Sequence, residues 1–474
     1  MNNIILKTHQ QRCLDKIESS IAKGRGELTG RIVIPTGGGK TFIEAFAIGH
    51  QMKKRGRKRI HLVLVPRIIL AKQLMGEFRK ALGYDFRAMA FHSGHHEPED
   101  ERISWKEFNT TNPTILSEYY YTAKKAKQDL IVFSTYHSCG RLEGIEFDTL
   151  IADESQYCVA ENFGSNVQQV SAKVKLFFTA TEKFTASKKG RGLNNESTFG
   201  KRLFYISPEK LISKGIIIPP RLHIMYGETI NEEASMVHQV LELGREQDKL
   251  TRPSLGFSKI LFAMNGTGDV KTIEDNIKKL KTELPVHDVF TITSKTGAKI
   301  NGVKIRREDF LERLATCENA LIFHYDILSE GIDIDGITGV ALMRNLGLAK
   351  LLQTIGRAVR PYKADPSKKP QAWISIPVIN GNEDDKARVK EIIGYMRLGG
   401  FDISKEDVIE TGKNRHQGDE EEIDDAYGKK KNNYSSLFIE GVLHEIEEDD
   451  FLYAISSTNN VKKKLDILMD KVGV

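Results

Sequence analysis

No apolar run in the 474-residue chain approaches the ~18 residues that a membrane helix needs, so no spanning helix is expected. Met1 to His9 lacks a charged leader followed by a long apolar core, and a secretory signal is not expected either. Cysteine is scarce. Cys13, Cys139, Cys158 and Cys317 lie far apart with no paired spacing, which argues against a disulfide framework and a zinc site and fits a reducing compartment. No internal period of solenoid length is present. What remains is 40% hydrophobic and 28% charged, the composition of a folded chain of roughly two to four domains.

The net charge of +6 hides an asymmetry. From residue 401 to the end there are ten Lys/Arg against eighteen Asp/Glu, a balance of −8, which leaves +14 for residues 1–400. A basic body invites an anionic polymer and an acidic tail repels one, although both are also ordinary solvated surfaces.

Short β-branched runs at Arg31–Ile34, Ile60–Val65, Leu130–Phe133, Thr149–Ala152 and Val174–Phe178 have the pattern of buried strands. Helical patterns at Phe42–Met52 and Ile68–Leu82 separate some of them. A second series of strands follows at Lys259–Met264, Val289–Thr293, Ala320–His324, Gly339–Met343 and Ala372–Ile376. Helical stretches at Val270–Leu284, Ile305–Ala315 and Ala349–Arg360 lie between them. Strand–helix alternation implies crossover units and parallel sheets, here two in series. Pro219-Pro220 marks the gap, since neither residue continues a helix or a central strand. The division expected is 1–218, 219–380 and a C-terminal extension, 381–474. The extension holds a helical pattern at Glu383–Leu398 and a polar stretch from Gly412 to Asn433.

Pro35-Thr36-Gly37-Gly38-Gly39-Lys40-Thr41 lies between a strand and a helix. Glycines let backbone N–H groups face a phosphate, and the helix N-terminus favours negative charge. Lys40 can reach the terminal phosphates and the Thr41 hydroxyl can hold Mg2+. The strict phosphate-loop pattern is not met, because Ile34 stands where its first glycine would be. Asp153 and Glu154 end the Thr149–Ala152 strand. There one carboxylate is placed to hold a metal ion and the next to polarise an attacking water.

The order of motifs resembles that of the superfamily 2 helicases and translocases over about residues 5–380. Pro35–Thr41 is similar to motif I, Val65–Gln73 to motif Ia and Phe133–Ser138 to motif Ib. Asp153-Glu154-Ser155-Gln156 is similar to motif II, Thr179-Ala180-Thr181 to motif III, Ser329–Asp333 to motif V and Gln353–Arg360 to motif VI. The resemblance implies an α/β fold of two tandem RecA-like parallel-sheet domains that bind ATP and Mg2+. Carried over, Thr36, Gly37, Gly38, Gly39, Lys40 and Thr41 bind the triphosphate, and Thr41 and Asp153 the metal. Glu154 activates water. Gln353, Arg357 and Arg360 act from the second domain, the two arginines as fingers, with Gly331 and Asp333 at the nucleotide. Gln10 resembles the family's adenine-reading glutamine. Arg67, Gln73, Thr135 and His137 are the expected backbone contacts to nucleic acid, and Thr179 and Thr181 the couplers. Gln156 departs from both common forms of motif II. The chain is closer in pattern to DNA-directed members, such as restriction and repair motor subunits and phage recombination helicases, than to RNA helicases.

Other clusters carry less. Lys53–Arg59 is a basic run, either a second backbone contact or a solvated helix end. Tyr119-Tyr120-Tyr121 with Lys124, Lys125 and Lys127 resembles a base-stacking surface, but consecutive aromatics cannot share one helix face, which favours packing. His92, His95 and His96 lack the companions of a metal site. No fused nuclease is evident. The expectation is an ATP-dependent DNA helicase, cytoplasmic and of bacterial or phage origin, with a protein partner reached through the C-terminal extension. The alternatives are a double-strand translocase, an RNA helicase and an ATP-gated binding module.

Overall fold

A computed structural model describes residues 4–53, 59–83, 86–94, 109–185, 190–227, 232–293, 295–325, 334–379 and 382–412. Several sequence candidates lie outside these: Lys54 to Lys58, His95, His96, the whole of Ser329–Asp333 with Gly331 and Asp333, and the acidic tail beyond residue 412. The chain divides into two compact units at Ile206/Ser207.

The first unit is built on a parallel sheet of seven strands: β1 (Leu28–Val33), β2 (Ile60–Val65), β3 (Phe86–Phe91), β4 (Asp129–Thr135), β5 (Glu146–Ala152), β6 (Ser171–Thr179) and β7 (Lys201–Tyr205). Their spatial order is β3-β4-β2-β5-β6-β1-β7. All six residues of β2 are buried. Alternate residues serve opposite faces: Leu62, Leu64, Leu130, Val132 and Leu150 join one core with Leu116 and Val167 of the helices Pro113–Lys125 and Glu161–Gln169. On the opposite face Phe133 meets Phe78 edge-to-face, ring centroids 5.3 Å apart. Phe78 belongs to α3 (Ile68–Leu82), whose buried residues Leu70, Ala71, Leu74, Met75, Phe78, Ala81 and Leu82 recur at three and four. A strand covered on both faces reads as an unbroken apolar run, and each large side chain fully buried there contributes about 1.5–3 kcal/mol. β3 and β7 go beyond the strands expected from sequence. Arg87 interrupts one, and Lys201-Arg202 opens the other at the sheet edge.

The second unit holds nine strands: β8 (Pro220–Gly227), β9 (Ser258–Ala263), β10 (Asp288–Thr293), β11 (Gly297–Ile300), β12 (Val303–Ile305), β13 (Asn319–His324), β14 (Gly339–Leu342), β15 (Ala372–Ile379) and β16 (Val408–Thr411). The order is β12-β11-β10-β13-β9-β14-β15-β8-β16, parallel except at β10–β11 and β11–β12.

The helix Pro208–Ile212 and its exit belong to the second unit, where Ile218 N donates to Val359 O at 2.8 Å. Pro220 is the first residue of β8, the position where a strand tolerates a missing N–H. Beyond residue 381, β16 pairs with β8. The helical stretch expected at Val270–Leu284 is two helices, Thr267–Asp275 and Ile277–Glu283, that meet at Asn276. Among the described residues no helix is long and apolar enough to cross a membrane.

His223 pins this edge together. Fully buried on β8, it bonds Ser375 Oγ on β15 (3.1 Å) and Thr411 Oγ1 on β16 (2.7 Å). Burial pushes its pKa down to about 4, with Glu246 opposing only in part. The folded state therefore holds neutral imidazole while the unfolded chain protonates near 6.5. This contribution is complete above about pH 6.5 and is lost as pH falls to about 4. Urea unfolding of the wild type should lose up to roughly 3 kcal/mol across that window from this group, and a His223→Gln variant should show a correspondingly shallower decline.

Candidate active site

The phosphate-loop and acidic candidates of the first unit sit at the carboxyl ends of strands, where parallel α/β sheets place ligands. After β1 the chain turns through Gly37 and Gly39, at φ +86° and +78°, into α2 (Lys40–Lys53). A side chain at either glycine would be strained. A Cβ on Gly39 would also stand 2.4 Å from Gln10 Nε2. Two residues of α1 (Thr8–Lys23) hold the loop: His9 Nε2 bonds Gly38 O (2.8 Å), and Gln10 Nε2 donates to Gly39 O (3.1 Å). The Gln10 Oε1 accepts from Lys7 N at 2.8 Å. The buried Thr36 hydroxyl has no partner among the described residues.

Lys40 is nearly buried, and its Nζ lies 3.6 Å from Glu154 Oε1. Burial alone would lower its pKa, but Glu154, Asp153 and Glu44 outweigh this and hold the ammonium above its usual value. Asp153 is pushed up to about 6 by burial and then by Glu154, with Lys40 pulling the other way. Glu44, wholly buried one helical turn beyond Lys40, is raised well above the usual carboxyl range by burial and by Asp153. Three carboxyl groups thus surround a single lysine. That donor set is all oxygen and short of positive charge, which fits a divalent cation completed by phosphate and water. No group of three acidic or His/Cys side chains able to hold a metal by itself occurs among the described residues. A magnesium ion bound through one or two carboxylates requires none.

Glu154 adopts the left-handed conformation (φ +53°, ψ +49°), an uncommon state for a residue with a side chain. Its carboxylate accepts from Gln156 Nε2 at 2.9 Å. The Gln156 Oε1 in turn accepts from Thr179 Oγ1 at 2.7 Å. Thr179 is tied further to Thr181, whose N–H donates to Thr179 Oγ1 at 3.1 Å, while Thr179 O accepts from Ile34 N at 3.0 Å. Residues of two motif-like segments, with Ile34 just before the glycine loop, are therefore joined by direct bonds. From behind, Tyr136 OH donates to Asp153 O at 2.6 Å.

Residues 3–184 match the family model described as the Type III restriction enzyme, res subunit. The fold is similar to that of the ATP-dependent Type ISP restriction-modification enzyme LlaBIII bound to DNA, with TM-score 0.66 and 16% identity over 89% of this chain and 32% of that one. A nuclease-deletion mutant of the Type ISP restriction-modification enzyme LlaGI, in complex with a DNA substrate mimic, gives TM-score 0.58 and 17% identity over 95% of this chain and 34% of that one. Mss116p (NTE and C-tail double deletion) bound to ssRNA and AMP-PNP gives 0.53 and 16% over 94% of this chain and 85% of that one. No curated protein matches. These likenesses show the fold, a RecA-like α/β architecture, and the family match covers residues 3–184. The chain spans about a third of the length of the two restriction enzymes.

Within this fold, Arg67 is exposed at the start of α3 after β2, and Gln73 is half-buried further along that helix. Thr135 ends β4, but its hydroxyl is engaged in the following turn, where it donates to Ser138 Oγ (3.2 Å) and accepts from Ser138 N (3.3 Å). His137 is exposed beside Phe163. Tyr119 and Tyr120 pack partly against the core, whereas Tyr121 is exposed with Lys125 Nζ 4.6 Å from its ring centre. His92 is buried and accepts from Gly94 N. In the second unit Gln353 and Arg357 lie buried on the helix Leu348–Ala358, and Arg360 follows just past its end. Sequence reasoning missed His9, Glu44 and Tyr136. Only Glu44 left a trace, its spacing of four from Lys40 on a helix.

The Glu154–Gln156–Thr179 chain can be measured directly. Gln156→Leu should cost roughly 1–3 kcal/mol in urea unfolding, since it removes the bonds to the half-buried Glu154 carboxylate and to the buried Thr179 hydroxyl. Gln156→Glu should cost at least as much at neutral pH, because it replaces a donor with a further carboxylate beside Glu154.

Proposed function

We propose that this chain is a nucleic-acid-stimulated ATP hydrolase that moves along or remodels DNA. The observation that carries the reading is the buried Lys40–Glu154 pair beside Asp153, facing a glycine turn held open by His9 and Gln10. On this reading the triphosphate takes the Lys40 ammonium away from Glu154 and lies along Thr36 to Thr41. Gln10 releases Gly39 O or reads adenine with the same amide. Mg2+, held by Thr41 and Asp153, would neutralise charge on the phosphate oxygens. Glu154, freed from Lys40 but still bonded to Gln156, orients and deprotonates the attacking water. Arg357 and Arg360, with Gln353, stabilise charge that develops on the γ-phosphate, and Gly331 and Asp333 complete the nucleotide contacts from the second unit.

Arg67, Gln73 and His137 are candidates for the sugar–phosphate backbone. Thr135 is the weaker of that set, its hydroxyl being used in a turn. Gln156 and Thr179 give a bonded route from water-activating Glu154 to Thr181, the coupling segment. DNA is preferred as the polymer because the two neighbours with higher fold similarity are bound to DNA or a DNA mimic. RNA is the second reading, since Mss116p is bound to ssRNA. A cytoplasmic role in a bacterium or phage, in repair, recombination or replication, belongs to the same proposal. A cleavage partner docked through residues 381–474 belongs to that proposal.

The test is steady-state ATP hydrolysis without polymer and with single-stranded, duplex and forked DNA and RNA. DNA should stimulate turnover, and Glu154→Gln should reduce kcat by about 10²–10⁴-fold. Lys40→Ala should lose nucleotide affinity as well. Stimulation by RNA alone moves the substrate to RNA, and no turnover with any polymer sinks the hydrolytic reading.

A further inference from the structure

The second unit buries two lysines whose ammonium groups are spent on backbone carbonyls. Lys259, on β9, donates to Leu314 O (3.0 Å), Ala315 O (3.3 Å) and Asp335 O (3.3 Å). Lys369 is 1% exposed and donates to Ala358 O at 2.6 Å and Arg360 O at 2.8 Å. The carbonyl between those two, Val359 O, accepts from Ile218 N at 2.8 Å. Three successive carbonyls at the end of the helix Leu348–Ala358 therefore have fixed donors, and two of the bonds come from one side chain.

Carbonyls at a helix end lack partners in the helix, and a cation there also meets the negative end of the helix dipole. Lys369 is thus well matched to its place, yet burial is severe. Burial pushes its pKa down to about 7, Asp335 opposing the fall and Arg360 adding to it. A solvated residue such as serine, or water, would satisfy a helix end at lower cost. What the lysine adds is rigidity. It follows the short turn Pro366–Lys368, capped by Asp365, and shortly precedes β15 in the interior of the sheet. Asp335 is tied in as well, its Oδ1 accepting from Lys363 N at 3.4 Å.

We propose that Lys369 is a positioning residue for Arg360: its two bonds fix the peptide planes that follow Ala358 and Arg360, and Ile218 N fixes the plane between them. The proposal rests on the hydrolytic reading above, in which Arg360 meets the γ-phosphate. A finger displaced by about 1 Å loses most of its effect on the transition state while ground-state nucleotide contacts elsewhere are untouched.

The full chain with DNA and ATP tests it, using Lys369→Met, Lys369→Gln, Arg360→Ala and the double variant Lys369→Met/Arg360→Ala. Lys369→Met should lower kcat about tenfold with KM for ATP within about twofold, and Lys369→Gln, which keeps neutral N–H donors, should recover part of it. Lys369→Met should cost nothing further in the Arg360→Ala background, because the two act through one group. A wild-type kcat in Lys369→Met, or an equal fall with and without Arg360, overturns the proposal. Thermal unfolding checks each variant. Should the Met variant not fold, the Gln variant and its double with Arg360→Ala carry the same comparison. A wild type that hydrolyses no ATP refutes the hydrolytic reading itself, an outcome distinct from a variant that hydrolyses it at full rate.

Discussion

One lysine buried against three carboxyl groups sets the terms for the first unit. Lys40, Glu44, Asp153 and Glu154 come from α2 and from the end of β5, and burial of the first three leaves little solvent to screen their fields. Strand order makes this possible. β1 and β5 are not neighbours: β6 lies between them, so the phosphate loop and the acidic pair flank the end of β6, where Thr179 sits. Ile34 N reaches Thr179 O from one side, and Gln156 reaches its hydroxyl from the other. The cluster is costly, as the raised Asp153 and Glu44 indicate, and perturbed groups of this kind gather at functional sites.

The second unit handles buried charge differently. Among the described residues, Lys259 and Lys369 donate to main-chain carbonyls rather than to carboxylate oxygens. A carbonyl cannot be deprotonated and does not move unless the backbone moves, so the bond acts as a strut. His223 with Ser375 and Thr411 does similar work across three strands using neutral groups. In the first unit buried charges face one another; in the second they are held by the main chain near the arginines.

Much of this is legible in the sequence. α3 can be read to its true ends, because an apolar face recurring at three and four has no other reading over fifteen residues. The central strands are legible because burial on both faces leaves unbroken β-branched runs. Edge strands β7, β12 and β16 are not, since a strand covered on fewer sides carries charge and looks like a loop. Gln156 stands out as a departure from a familiar motif, yet nothing local predicts its use. Its partners are two residues away and twenty-three residues away.

By itself, then, the sequence determined the alternation of strands and helices, the glycine turn before Lys40 and the acidic pair after β5, because each depends on neighbours along the chain. Tertiary structure alone decided that Glu44 joins the acidic cluster, that His9 grips Gly38, and that Lys369 is spent on the carbonyls beside Arg360. Those outcomes depend on which strand ends lie side by side and on where water is excluded. Neither is encoded at any single position.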